Sequence, residues 1–289
     1  MKRYIATIPI DIRPTRLFPL VRRMLPELPD HVIREAFEKR DVKMNGARVG
    51  KDEAACPGAV LQLYTRHEAE TKPPEILFED TNLLIIRKRA GISCEADAKG
   101  GKTVTEWVGE ALRKQEPTAT DPLLCHRLDN QTDGLLLLAK QERTQAALEA
   151  AFQNRQVHKV YACLVKGTPV ERHGWLKAYL TKDAEQSRVR VSSHPGPGAR
   201  EILTEYEVME PGAVSRLRVT LHTGRTHQIR AHLASIGHPL LGDDTYGDRA
   251  FNKAQKAKRL MLCATELWFS ADGELSYMKG KHFSILPTF

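Results

Sequence analysis

Residues 126–140 read HRLDNQTDGLLLLAK, and the second half of that stretch constrains the fold more than any other part of the chain. The four leucines after Gly134 show neither the alternation of a half-exposed strand nor the length of a helix. The run 134–139 is therefore expected to be a short, fully buried strand. Just ahead of it stand Arg127 and a carboxylate, Asp129. Charged groups at the end of such a strand fall where the core meets a cleft, which makes this loop the first candidate for chemistry. Taken alone, Asp129 has a plainer reading as well: a helix cap, or an ion-pair partner for Arg127.

A chain of 289 residues suffices for one large core, or for a small domain beside a larger one. Its 41% hydrophobic and 28% charged residues are ordinary for a globular protein. No apolar run approaches the ~18 residues of a membrane span. Residues 1–16 hold no apolar signal core, so a cytoplasmic protein without a membrane partner is expected. The five cysteines (Cys56, Cys94, Cys125, Cys163, Cys263) are scattered and never in CxxC spacing. That fits reduced thiols and supplies no zinc ligand set. A net charge of +8 and a pI near 9.2 point toward a polyanionic partner, although a merely basic surface would give the same values.

The polar, Pro-Pro-containing stretch 67–75 reads as a linker between a unit at 1–66 and a larger one at 76–289. In the first unit, apolar residues recur at helical spacing over 16–28, and Asp30 is placed to cap a second helix over 31–39. Asn45-Gly46 is a strong hairpin signal, and 58–64 reads as a closing strand. Arg16, Arg22, Arg34, Lys39, Arg40 and Lys43 give these helices and the hairpin basic faces suited to phosphates, or simply to water. In the larger unit, strands are expected at 76–78, 83–87, 157–165, 189–191, 203–209 and 217–221. Helices are expected at 103–114, 142–154 and 226–236, with Gly224 providing the tight turn into the last. Hairpin-length connections between these strands make the fold class α+β around a mixed, largely antiparallel sheet.

Three motifs carry a family resemblance. His126-Arg127-Leu128-Asp129-x-x-Thr132-x-Gly134-Leu135 resembles the signature of the RNA pseudouridine synthases that modify ribosomal and transfer RNA. Lys159-x-Tyr161 resembles their second motif. The third, HTGRTHQIRAHLASIGHPLLGDDTYG over 222–247, is the longest and most specific match. Two helices, a VxMNG turn and a strand over 13–65 also resemble the small S4-like RNA-binding domain that accompanies such enzymes, although Pro29-Asp30-His31 stands where that module has a Ser-Arg pair. Arg89, Asp133 and Cys263 likewise depart from the family's usual proline, serine and histidine.

The resemblance implies an isomerase that turns uridine into pseudouridine without cofactor or metal. It makes Asp129 the catalytic carboxylate, by covalent attack or by proton abstraction from the ribose. Tyr161 would stack on the flipped base and relay a proton, and Arg230 would hold Asp129 ionised and oriented. Arg127 would fill the stack left by the extruded uridine. His126, Arg225, His227 and Leu262 complete the expected substrate contacts. The partner implied is RNA, large-subunit ribosomal RNA ahead of transfer RNA, and a monomer is expected. A non-catalytic RNA assembly factor, or a hydrolase or lyase acting on a small nucleotide, stands as an alternative.

Overall fold

The computed structural model describes residues 2–12, 15–25, 28, 30–65, 74–96, 102–183 and 188–289. The chain forms two compact units, Met1–Pro73 with Gly91–Ala119, and Pro74–Ala90 with Thr120–Phe289. Of the expected linker, 67–75, only Pro74 and Glu75 lie among the described residues, and Glu75 already begins a strand.

In the first unit the described elements are β1 (Lys2–Thr7), α1 (Leu17–Met24), α2 (Asp30–Glu38), β2 (Val42–Met44), β3 (Ala47–Arg48), β4 (Val60–Thr65) and α3 (Val104–Arg113). The sheet order is β1-β4-β2-β3. Helices α1 and α2 turn their apolar stripes onto it: Leu17, Leu20 and Val21 from α1, and Val32, Ile33, Ala36 and Phe37 from α2, share a core with Val42, Leu61 and Leu63. Asn45 and Gly46 take φ values of 50° and 85°, the left-handed pair that a two-residue hairpin requires. Asp30 is the first helical residue rather than the cap, and its carboxylate pairs with Arg22 at 2.5 Å. The cap that is well formed belongs to α3, where Thr103 and Glu106 make a reciprocal capping box. Strand β1 went unread in the sequence; it pairs with β4 along its whole length.

The second unit is built on β5 (Glu75–Glu79), β6 (Leu83–Lys88), β7 (Leu123–Leu124), β8 (Asp133–Ala139), α4 (Glu142–Gln153), β9 (Val157–Lys166), β10 (His173–Asp183), β11 (Arg188–Ser192), β12 (Arg200–Glu210), β13 (Val214–Leu221), α5 (Gln228–Ser235), α6 (Arg249–Ala254), β14 (Leu262–Phe269) and β15 (His282–Ser284). Its sheet runs β11-β10-β12-β13-β9-β14-β8-β6-β5, with β7 and β15 as side pairings. Only β14 and β8 pair in parallel among the named strands, so the sheet is mixed and largely antiparallel, as expected.

Strand β8 is buried at every position, with Leu136, Leu137 and Leu138 fully inaccessible. Gly134, its second residue, is a glycine because nothing larger fits. A Cβ there would lie 2.4 Å from the backbone of Ala264 on β14, and its φ is +129°. One face of the sheet carries both long helices. Phe152 and Leu148 of α4 pack with Leu135, Leu137, Leu267 and Phe269. From α5, Gln228 and His232 hydrogen-bond to Thr204 on β12. Thr204 is paired across β13 with Leu221, and Leu221 with Lys159, so Lys159, Tyr161 and Cys163 share that helix-bearing face.

Candidate active site

The loop between β7 and β8 presents Asp129. Thr132 N–H donates to the Asp129 carbonyl at 3.0 Å, which folds the loop back on itself. Lys88, fully buried at the end of β6, donates from Nζ to the carbonyl of Asn130 at 3.2 Å and holds the loop from beneath. His126 continues the strand ladder where β7 ends: its Nε2 accepts the N–H of Leu137 at 3.1 Å, and its ring lies 4.6 Å from that of Phe152. Burial first, then the nearby Lys159 charge, pushes the His126 pKa well down, so the ring is neutral. In this residue, expected to touch RNA, Nε2 is taken by the Leu137 N–H and Nδ1 is buried. Arg127 is exposed on the same loop.

Across the cleft, α5 delivers Arg230. Its NH1 donates to Asp129 Oδ2 at 3.2 Å. The expected pairing is present, but it is the lesser of two. Arg230 Nε and NH2 make a bidentate fork on Asp243 at 2.7 and 2.9 Å, and the Asp243 side chain is fully buried. Burial alone would lower the guanidinium pKa; Asp243, and after it Asp129, raise it instead. For Asp243, burial alone would raise the pKa, and Arg230 with the N–H groups of Tyr246 and Thr245 lowers it. The arginine is thus a fixed positive plate held from behind and offered to Asp129 in front.

His227 caps α5 in the left-handed conformation, with φ 56°. This φ aims its ring at Asp129, and Gly224, which was expected to supply the special turn, has no positive φ. Val189 N–H donates to the Tyr246 hydroxyl at 2.8 Å, and that oxygen lies 3.0 Å from His227 Nδ1. The other ring nitrogen, Nε2, lies 3.9 Å from Asp129 Oδ2. Burial is the main cause that lowers the His227 pKa, which favours the neutral ring.

Tyr161 is buried on β9, opposite Ala264, and Leu262 is its diagonal neighbour on the same sheet face, opposite Cys163. Arg225 is exposed at the entrance to α5. Of the basic residues expected to hold RNA in the first unit, Arg22 is mostly buried against Asp30. Arg16 pairs with Asp52, Lys39 pairs with Glu35, Arg34 lies over Phe18, Lys43 lies over Tyr64, and Arg40 is exposed. Among the described residues no cluster of three His, Cys, Asp or Glu could hold a metal. Asp243, Tyr246 and Lys88 went unassigned in the sequence; the GDDTYG segment contains the first two, but their task lies in contacts that spacing does not reveal.

The chain is 32% identical over 93% of its length to ribosomal large subunit pseudouridine synthase C of Vibrio vulnificus, covering 89% of that protein. It is 31% identical over 95% of its length to the protein of the same name from Escherichia coli, covering 91% of it. An uncharacterized RNA pseudouridine synthase of Chlorobaculum parvum is 32% identical over 86% of this chain and 82% of its own length. Among solved structures, human RNA pseudouridylate synthase domain containing 1 superposes with a TM-score of 0.59 and 25% identity, over 71% of this chain and 82% of that one. Residues 82–235, which hold the Asp129 loop, Tyr161 and Arg230, match the RNA pseudouridylate synthase family, and the chain belongs to that family of RNA isomerases.

Proposed function

We propose that Asp129 performs the isomerisation in this chain and that the RNA acted upon is large-subunit (23S) ribosomal RNA. One arrangement carries the chemical part of the reading: a single carboxylate at a cleft edge, met by a guanidinium whose other side is locked to Asp243. Such a carboxylate is oriented without being neutralised by a full bidentate pair, which leaves an oxygen for the ribose. His227 Nε2 lies 3.9 Å from Oδ2, the oxygen that Arg230 holds, Tyr161 offers a ring to the base and a hydroxyl for a proton, and Arg127, exposed at the cleft, would replace the extruded uridine. Flipping costs roughly a few kcal/mol, which phosphate contacts and the inserted side chain must offset. Either use of Asp129, covalent attack or ribose proton abstraction, is compatible with this geometry.

The target reading rests on the relatives named ribosomal large subunit pseudouridine synthase C. Residues 1–66 would act as the S4-like grip on RNA beside the target, with Arg34, Arg40 and Lys43 as its outward charges. Five cysteines without a disulfide suit the reducing cytoplasm, where the enzyme would act as a monomer. Incubating the full chain with in vitro transcribed 23S RNA and, separately, with a transfer RNA pool, then mapping pseudouridine chemically, tests the target. Product confined to transfer RNA overturns it.

A further inference from the structure

Lys159 sits two residues before Tyr161 on the same strand face, and nothing in the reading above uses it. It lies mostly buried between the two loops that build the site. Below it, Nζ stands 4.8 Å from the centre of the Phe152 ring. Beside it, its charge is felt by His126, three residues before Asp129. Above it is Gly224, three residues before His227, and that glycine is exposed. A Cβ at Gly224 would come 3.5 Å from Nζ, ordinary contact distance, so the ammonium stands next to this exposed backbone.

No acidic side chain answers this charge among the described residues. Burial is the only cause acting on it, and it brings the pKa from 10.5 down to about 8. The neighbouring His126 is neutral, and an aromatic ring supports a cation from one side only. An ammonium has three donors. Held this way between the Asp129 loop and the His227 loop, it is built for an anionic oxygen that arrives with the substrate.

We propose that Lys159 Nζ is an anion-binding position of the active site, taking one anionic oxygen of the bound RNA. The inference rests on the reading that the Asp129 cleft is the reaction centre. Two oxygens of the substrate have this chemistry. One is a backbone phosphate oxygen beside the target nucleotide. The other is a uracil oxygen: when the C1′–N1 bond breaks, its electron pair stays on the ring, spread over N1, O2 and O4. After the ring turns, C5 returns a pair to C1′, the C5 proton leaves and N1 takes one up, so the charge on the ring is transient. A phosphate contact acts on binding, whereas a uracil contact acts on the barrier.

The test uses the full chain with Lys159→Met and Lys159→Arg, on in vitro transcribed large-subunit ribosomal RNA. It reads Kd at several salt concentrations, the single-turnover rate at saturating RNA, and Tm. If phosphate is the ligand, Lys159→Met weakens Kd about 10-fold and flattens the salt slope by about 1, the rate at saturation stays within 2-fold, and Lys159→Arg restores most of the affinity. If uracil is the ligand, Kd stays within 2-fold and the rate falls about 100-fold. Changes within 2-fold in both quantities overturn the proposal. So does a loss that follows a fall in Tm and that Lys159→Arg does not partly restore. Asp129→Asn, assayed alongside, separates the two readings: if it keeps full activity the catalytic assignment fails, whatever the lysine variants do.

Discussion

Replacing Asp243 with asparagine keeps the shape of the side chain and removes the charge behind Arg230. Three of the four contacts survive, because Asn Oδ1 can still accept the N–H groups of Thr245 and Tyr246, now at 2.8 and 2.9 Å, and that of Arg230 NH2, now at 2.9 Å. The 2.7 Å contact to Arg230 Nε is converted into two donors facing each other. Removing one partner of a buried ion pair costs about 3–5 kcal/mol; because Asp129 remains as a counter-ion, the lower end applies, about 3 kcal/mol. For a chain of this size that lowers Tm by roughly 6–12 °C. The guanidinium is then free to turn fully onto Asp129, and the rate should fall about 100-fold with RNA affinity little changed. The assay is single-turnover pseudouridine formation beside a thermal melt at pH 7. The pH dependence has a definite sign: the folded pKa of Asp243 lies below its ordinary 3.8, so its stabilisation is present above that value and is lost as pH falls through the folded pKa. The gap between parent and variant should therefore close below about pH 4. A variant that melts with the parent and turns over at the parental rate would refute the two-carboxylate account of Arg230.

His232 is buried against Thr204 with its pKa lowered by burial to about 4. Between pH 6.5 and 4 the unfolded chain binds a proton that the fold refuses, so stability falls by roughly 3 kcal/mol at most across that window, and His232→Gln should flatten this part of a pH–stability curve. Gly134→Ala would place a methyl 2.4 Å from the backbone of Ala264 at a φ of +129°, and should cost roughly 3 kcal/mol or more, read as a Tm loss or as insoluble expression. Arg127→Ala should slow turnover on folded RNA at least about 10-fold more than on a short unpaired oligonucleotide, since only the former needs its stack refilled; equal losses would place Arg127 at the chemistry instead.

What could be read in the sequence, and what could not, divides along a physical line. Strand β8 was legible because four consecutive leucines admit no other short element, and the Asn45-Gly46 hairpin because its two left-handed residues need those side chains. Strand β10 was missed: Leu176, Ala178 and Leu180 alternate on one face of HGWLKAYLTKD, but Trp175 and Tyr179 beside Lys177 on the other face blur the contrast. Strand β14 was read only for Leu262 and the Cys263 departure; as a strand it lies between β8 and β9, which are more than 90 residues away in sequence. At the site, the pairing of Arg230 with Asp129 followed from motifs, and the structure adds the stronger Asp243 fork behind it. His126 was read as a substrate contact because it belongs to the His-Arg-Leu-Asp motif. Its interior role depends on where β7 stops, and a linear pattern does not encode that. The left-handed turn before α5 was assigned to glycine on general preference, whereas His227 adopts it and is held there by Tyr246.

The measurement that bears most directly on the central claim is pseudouridine formation by Asp129→Asn. The substitution keeps size and an oxygen acceptor for Arg230 NH1 while removing the negative charge. Asp129 is not sealed in the core (its side chain is 17% exposed), and Arg230 retains Asp243, so Tm should move by no more than a few degrees. RNA affinity should stay within about 3-fold, because the lost charge does not contact phosphate favourably. The account predicts no detectable product over many half-lives of the parental reaction. Product at more than a few per cent of the parental rate, from protein free of parental contamination, would contradict it and move the chemistry to another group.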